Sequence, residues 1–226
     1  MSSRRSLLAT TQALLERTYG IPEGLVLAER FVIGDRGLRD LYATRSAHQA
    51  GSLEGQGARL LVREVPGGAR ACVYFPDAMI RALERQPPWH GVGEANVDPF
   101  ATRVEEVDHL LYVADRAAAG RSVSLFELEL HANVSKWLVV GRFVTGHRRR
   151  LTDRERVWLR WHLFLKHRFV EEDAAIRERY RDATRHALRF VDGLQRARPS
   201  RRLGLLRSFH DATASDKLRL IGRLAA

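Results

Sequence analysis

Cysteine is almost absent from this 226-residue sequence: Cys72 stands alone in the strand-like run Ala71-Cys72-Val73-Tyr74-Phe75. A single thiol excludes an internal disulfide and any metal site built from cysteines alone. It also makes a reducing cytoplasm the expected compartment. Long apolar runs are missing as well, so no segment reads as a bilayer span and membrane insertion is not expected. The N-terminal stretch has a basic head at Arg4 and Arg5. Its apolar patch is soon broken by Thr10, Thr11, Gln12, Glu16 and Arg17, which argues against a secretory signal. There is no internal repeat and no long low-complexity tract. What remains is a chain of ordinary apolar content, long enough to bury a sizeable core.

Lysine is also scarce, with only Lys136, Lys166 and Lys217, so arginine carries the positive charge. The net charge is +11, unevenly placed. From Gly141 onward there are 22 Arg or Lys against 10 Asp or Glu, whereas the first 140 residues hold 16 against 17. Arginine suits bidentate contact with phosphate or carboxylate. A basic C-terminal half therefore nominates nucleic acid or an acidic protein as a partner. The alternatives are a solvated basic face and the arginine bias of a GC-rich genome.

Periodicity predicts an amphipathic helix over Ser6–Thr18, with Leu7, Leu8, Leu14 and Leu15 on its apolar side. A loosely alternating strand follows at Leu25–Ile33, then a short helix at Arg36–Thr44 and a loop at Ala47–Gly57. Ala58–Val65 and Ala69–Phe75 read as a β-hairpin turning at Pro66-Gly67-Gly68. Asp77–Gln86 reads as a helix, and Pro87–Gly93 as an irregular surface loop. Asp98-Pro99 is a helix-start signal, and Gly120 stops that helix. Ser124-Leu-Phe-Glu127 and Thr152-Asp-Arg-Glu155 are capping-box patterns that open two more helices. Glu171, Glu172 and Asp173 suit the first turn of another, ending before Pro199, and a last helix starts near Ser215. The expected class is α+β: a small mixed α/β unit over residues 1–145, then a basic helical region over 146–226, possible as one packed domain.

The richest chemistry lies between Val104 and Trp137. Glu105, Glu106 and His109 fall on one helix; Glu127, Glu129, His131 and Asn133 fall on the next. Glu105 and His109 are four apart and Glu106 and His109 three apart, so all three project from neighbouring positions on one helix face. Two ligands one turn apart can hold a metal from one side, with a third ligand from elsewhere and one position left for water or substrate.

This Glu105-Glu106-x-x-His109 helix resembles the His-Glu-x-x-His helix of zincin metallopeptidases, with Glu105 where the first histidine would stand. In the thermolysin-like gluzincin branch a glutamate about twenty residues on supplies the third ligand. A further acid, which orients a ligand, follows it by four. Glu129 falls in the first of those places and Asn133 in the second. The strand-rich unit before the helix also matches the zincin order, and the resemblance covers about residues 58–140. It implies Glu105, His109 and Glu129 as metal ligands, Glu106 as general base, Asn133 as an orienting group, and hydrolysis of a peptide-like bond. The departures are Glu105 for a histidine and Asn133 for a carboxylate. They make the set harder and more anionic, so manganese or iron joins zinc as a candidate cofactor, beside no metal and an inactive relative.

Plainer readings stand alongside. Carboxylates on a helix are commonly a solvated face, Glu127 fits a cap better than a ligand, and Glu129 has Lys136 or Arg116 as candidate ion-pair partners. A di-iron site also uses Glu-x-x-His but needs a second such motif, and none is present. His162 and His167 point to different helix faces, and His186 and His210 have no evident partners. Trp158 and Trp161 among Arg154, Arg156 and Arg160 fit a helix core more readily than a stacking platform for nucleic acid.

Overall fold

Ser6 starts the first helix, α1 (Leu7–Tyr19): its hydroxyl accepts from the Ala9 amide, and Gly20, at φ 79°, ends the helix in a left-handed turn. The structure is a computed structural model and describes residues 5–43, 57–66, 68–146, 148, 150–166 and 174–225. Leu7, Leu8 and Leu15 face inward, as the periodicity predicts; Leu14 is only partly buried, and Tyr19, beyond the expected helix end, joins the inward side.

The strand expected over Leu25–Ile33 is much shorter. A 3-10 turn at Ala28–Arg30 precedes β1 (Val32–Ile33). Gln12 of α1 explains the difference: its side chain donates to the Val26 carbonyl and accepts from the Ala28 amide at 2.9 Å. A side chain thus satisfies backbone groups that a strand would pair with a neighbour. α2 (Asp35–Ala43) follows. The loop expected at 47–57 lies outside the described residues apart from Gly57. The hairpin forms as β2 (Arg59–Val65) and β3 (Gly68–Tyr74), antiparallel, and β1 joins β3 in parallel to give the order β1-β3-β2. Asp35 and Asp77 lock the sheet's end, since Asp35 accepts from the Tyr74 hydroxyl at 2.8 Å and Asp77 from the Asp35 amide at 3.1 Å.

After α3 (Asp77–Arg85) and a 3-10 turn at Pro88–His90 come the two central helices, α4 (Val97–Ala118) and α5 (Leu125–Thr145). α4 begins at Val97, one residue before the Asp98-Pro99 signal, with Asn96 at the cap position. The Asn96 carboxamide gives no cap bond, because it accepts from the Gly93 amide and donates to the Gln86 and Gly91 carbonyls. Asp98 instead pairs with Lys166. Both halves of the Ser124–Glu127 capping box are made, and both halves of the Thr152–Glu155 box at α6 (Asp153–Arg160).

α6 widens into a π turn over Trp161–Leu165, which leaves Trp161 exposed while Leu163 and Phe164 stay buried. α7 (Ala174–Arg196) packs on α5. The acidic residues 171–173 expected in its first turn lie outside the described residues. Pro199 ends α7, as predicted, but it also opens a helix that the sequence reading lacked, α8 (Pro199–Asp211), because proline fits a first helical position. α9 (Ala214–Ala225) then packs on α7, where Gly193 lets the chains approach closely. One apolar cluster runs from Leu7 through Val104, Val134 and Val191 to Ile221. The chain is mostly helical with a small three-stranded sheet, an α+β arrangement in the coarse sense. No described helix is long and apolar enough to cross a membrane.

Candidate metal centre

Each helix of the α4–α5 pair brings half of a polar cluster. The apolar positions Val104, Val107 and Leu111 turn one side of α4 into the core, while Leu130, Val134 and Trp137 do so for α5. Glu105, Glu106 and His109 are then set on the flank of α4, and Glu129, Asn133 and Lys136 on the flank of α5. The structure gathers Glu105, His109 and Glu129 so that one ligand atom from each lies within 4.8 Å of the others. His109 Nε2 is 3.9 Å from Glu129 Oε1; His109 and Glu129 are buried, while the Glu105 side chain is 22% exposed and forms the open side of the site.

The other site residues are placed as follows. Glu106 lies against the far nitrogen of the same ring, Oε2 to His109 Nδ1 at 3.4 Å. The Asn133 carboxamide donates to the Glu129 backbone carbonyl at 2.9 Å and not to its carboxylate. Lys136 sets its ammonium 3.0 Å from Glu105 Oε2. Glu127 serves the cap of α5, accepting from the Ser124 amide at 3.1 Å.

Charge in this enclosure is strongly mutual. Burial opposes a charged His109, but Glu106, Glu129 and Glu105 outweigh it and push its pKa up to about 9. Burial pushes Glu129 up to about 7; Glu105 and Glu106 add to the shift, while His109 and Lys136 oppose it. One polar atom stays unserved: His109 Nε2 is buried and has no hydrogen-bond partner. Two surface cavities lie elsewhere among the described residues, one lined by Arg85 and the Gly91–Asn96 loop, the other by α1 and Arg207.

A second buried network lies on the other flank of the same pair. Asp108 Oδ2 takes His131 Nδ1 at 2.8 Å, and His131 Nε2 meets His210 Nδ1 at 3.0 Å. His210 Nε2 in turn reaches Asp115 at 3.1 Å. Ser135 donates to Asp108 at 2.6 Å, and the Tyr19 hydroxyl meets Ser135 at 2.7 Å. Burial holds both histidines below the ordinary imidazole range, the Asp108 carboxylate opposing this at His131 and the neighbouring His131 adding to it at His210. Nearby, Arg116 and the fully buried Lys217 cap the end of α8 from two sides. Arg116 donates to the carbonyls of His210, Asp211 and Ala212, and Lys217 to those of His210 and Ala212. Burial, with Arg116 close by, lowers the Lys217 pKa to about 7.

The sequence reading missed this network because His210 lies on the helix it lacked. The i to i+4 spacing of His131 and Ser135 was the available signal. His162, for its part, is buried and held at 2.9 Å by Glu94, which also accepts from the Trp158 indole at 2.8 Å. His186 sits edge-on to Phe126. Compared with family models, with curated proteins and with solved structures, the chain matches none of them.

Proposed function

We propose that the protein holds one divalent cation between α4 and α5, on Glu105, His109 Nε2 and Glu129. The observation that carries this is the orphaned His109 Nε2, buried among carboxylates. A buried polar nitrogen without a partner costs about 1–3 kcal/mol, and a coordinate bond removes that penalty. Glutamate and imidazole bind zinc at about 2.0–2.2 Å, which puts tetrahedral ligand atoms about 3.4 Å apart. The present separations, up to 4.8 Å, close to that by side-chain adjustment alone. Charge agrees. Glu105, Glu106 and Glu129 are balanced by the Lys136 ammonium plus one divalent ion when His109 is neutral. Two carboxylates and one imidazole suit zinc, and suit manganese or iron(II) as a harder set.

A bound ion would supply Lewis acidity for hydrolysis, the activity that the zincin resemblance implies. That use needs Glu106 turned toward an ion-bound water. Its contact with Nδ1 puts it on the opposite edge of the ring from Nε2. Cation binding that ties α4 to α5 is therefore the favoured reading, ahead of peptide hydrolysis. The test is thermal unfolding of chelator-treated protein titrated with Zn2+, Mn2+ and Fe2+. One of them raises Tm in the wild type and not in His109→Ala or Glu129→Ala. Equal shifts in all three proteins would reject the site.

A second reading rests on Arg154, Arg189, Arg198, Arg201 and Arg223. These are exposed and, among the described residues, form no ion pair. Exposed arginines suit contact with the phosphates of nucleic acid or the carboxylates of an acidic protein. Retention of DNA or RNA that weakens steeply with salt would support the nucleic-acid form, because counterion release drives such binding. No retention at low salt and tens of micromolar protein would remove it.

A further inference from the structure

Two buried imidazoles lie in the α4–α5 pair, and both have a carboxylate on Nδ1: Asp108 on His131 at 2.8 Å and Glu106 on His109 at 3.4 Å. They differ at the other nitrogen. His131 Nε2 ends on His210 at 3.0 Å, whereas His109 Nε2 ends on nothing and faces Glu129. Helical side chains lean toward the N-terminus, so the His109 ring lies back over the turn that carries Glu105 and Glu106. Nδ1, nearer the backbone, falls to the residue three positions earlier, while Nε2 reaches past it toward α5.

From this contrast we infer that Glu106 is a positioning residue. Its carboxylate accepts a hydrogen bond from the His109 Nδ1–H, fixes the ring's tautomer and tilt, and leaves the Nε2 lone pair aimed at an ion shared with Glu105 and Glu129. The inference rests on the cation-binding reading above. It assigns the glutamate that the sequence pattern offers as a general base to another task. The contact is long for a hydrogen bond and shortens when an ion draws electron density from the ring. Glu106 is 7% exposed, so water competes little for Nδ1. A carboxylate outside the ligand set typically raises metal affinity 10–100-fold by this means.

The experiment compares wild type, Glu106→Gln, Glu106→Leu and His109→Ala as full chains. Zn2+ affinity is measured by competition with a chromophoric chelator, and the His109 tautomer by long-range 1H–15N NMR of the zinc-loaded protein. The expected result is zinc on Nε2 with a protected Nδ1 proton in the wild type. Affinity falls about 10–100-fold in Glu106→Leu and less in Glu106→Gln, which keeps an acceptor. Circular dichroism checks that each metal-free variant is folded. If Glu106→Leu binds zinc as the wild type does, the inference fails and the cation site stands. The inference fails likewise if Glu106→Leu keeps its affinity and loses only a hydrolytic activity, because Glu106 is then a base. If the wild type binds none of Zn2+, Mn2+ and Fe2+ in the same competition assay, both fail.

Discussion

Replacing Asp108 by alanine tests the buried network on the far flank of the central helix pair. Asp108 is 1% exposed and accepts from Ser135 Oγ at 2.6 Å and His131 Nδ1 at 2.8 Å. Without it the Ser135 hydroxyl can turn to the i−4 carbonyl of its own helix while still accepting from Tyr19 at 2.7 Å, so one of the two donors finds another partner. His131 Nδ1 finds none, as its ring is sealed between Tyr19, Tyr112 and Phe209. An orphaned buried donor costs about 1–3 kcal/mol. The vacated carboxylate volume adds about 1 kcal/mol more. Release from desolvation of the carboxylate offsets part of this sum, leaving a net loss of about 1–3 kcal/mol. The control is Asp115→Ala at the other end of the same chain of contacts. The Asp115 side chain is 24% exposed, so water can replace it on His210, and the loss stays below about 1 kcal/mol. Urea unfolding followed by circular dichroism reads both, with the slope checked for constancy. Equal losses in the two variants, or a loss below 1 kcal/mol at Asp108, would refute the reasoning.

Four further outcomes follow from the packing and charges. Gly193→Ala places a Cβ 2.7 Å from Leu224 Cβ and 3.1 Å from its carbonyl oxygen, so α9 is pushed off α7 and stability falls by about 1–3 kcal/mol in the same urea assay. Thr152→Ala removes the hydroxyl that accepts from the Glu155 amide and should cost about 1 kcal/mol; no change in midpoint would discount the cap. His109, with a folded pKa of about 9 against 6.5, gives the metal-free protein stability that is fully present below pH 6.5 and lost as pH rises through 9. His109→Ala should therefore lose most stability at acid pH and least above 9, a convergence visible in paired melts across that range. Metal uptake displaces the His109 proton, so binding near pH 7.5 releases acid into weakly buffered solution.

The parts of the fold legible in the sequence were those set by local chemistry. Ser124 with Glu127 and Thr152 with Glu155 identified two helix starts, and Pro66 to Gly68 identified a hairpin. Spacing put Glu105 and His109 on one helix face, because four residues make about one turn, whereas Glu129 entered only as the ligand that the zincin resemblance implies; the structure sets it on the facing helix. What escaped depended on distant partners. Gln12 satisfies the backbone of Val26 and Ala28 from α1, which shortens the strand that their alternation predicts. Asp98 does not serve as the cap, because α4 begins one residue earlier and Lys166 pairs with the aspartate. Pro199 was legible as an end but not as a beginning, and with α8 unseen His210 had no route to His131. The setting of Glu106 on Nδ1 depends on a ring rotamer, which no spacing rule supplies.

Metal content is the most direct test of the cation site. The protein would be purified without chelator or an immobilised metal, and bound zinc, manganese and iron measured by inductively coupled plasma mass spectrometry beside His109→Ala and Glu129→Ala. The site between α4 and α5 predicts close to one equivalent of a single divalent metal in the wild type. It predicts background in both variants, each folded by circular dichroism. A metal-free wild type that stays so after incubation with each ion, or metal retained in both variants, would contradict it.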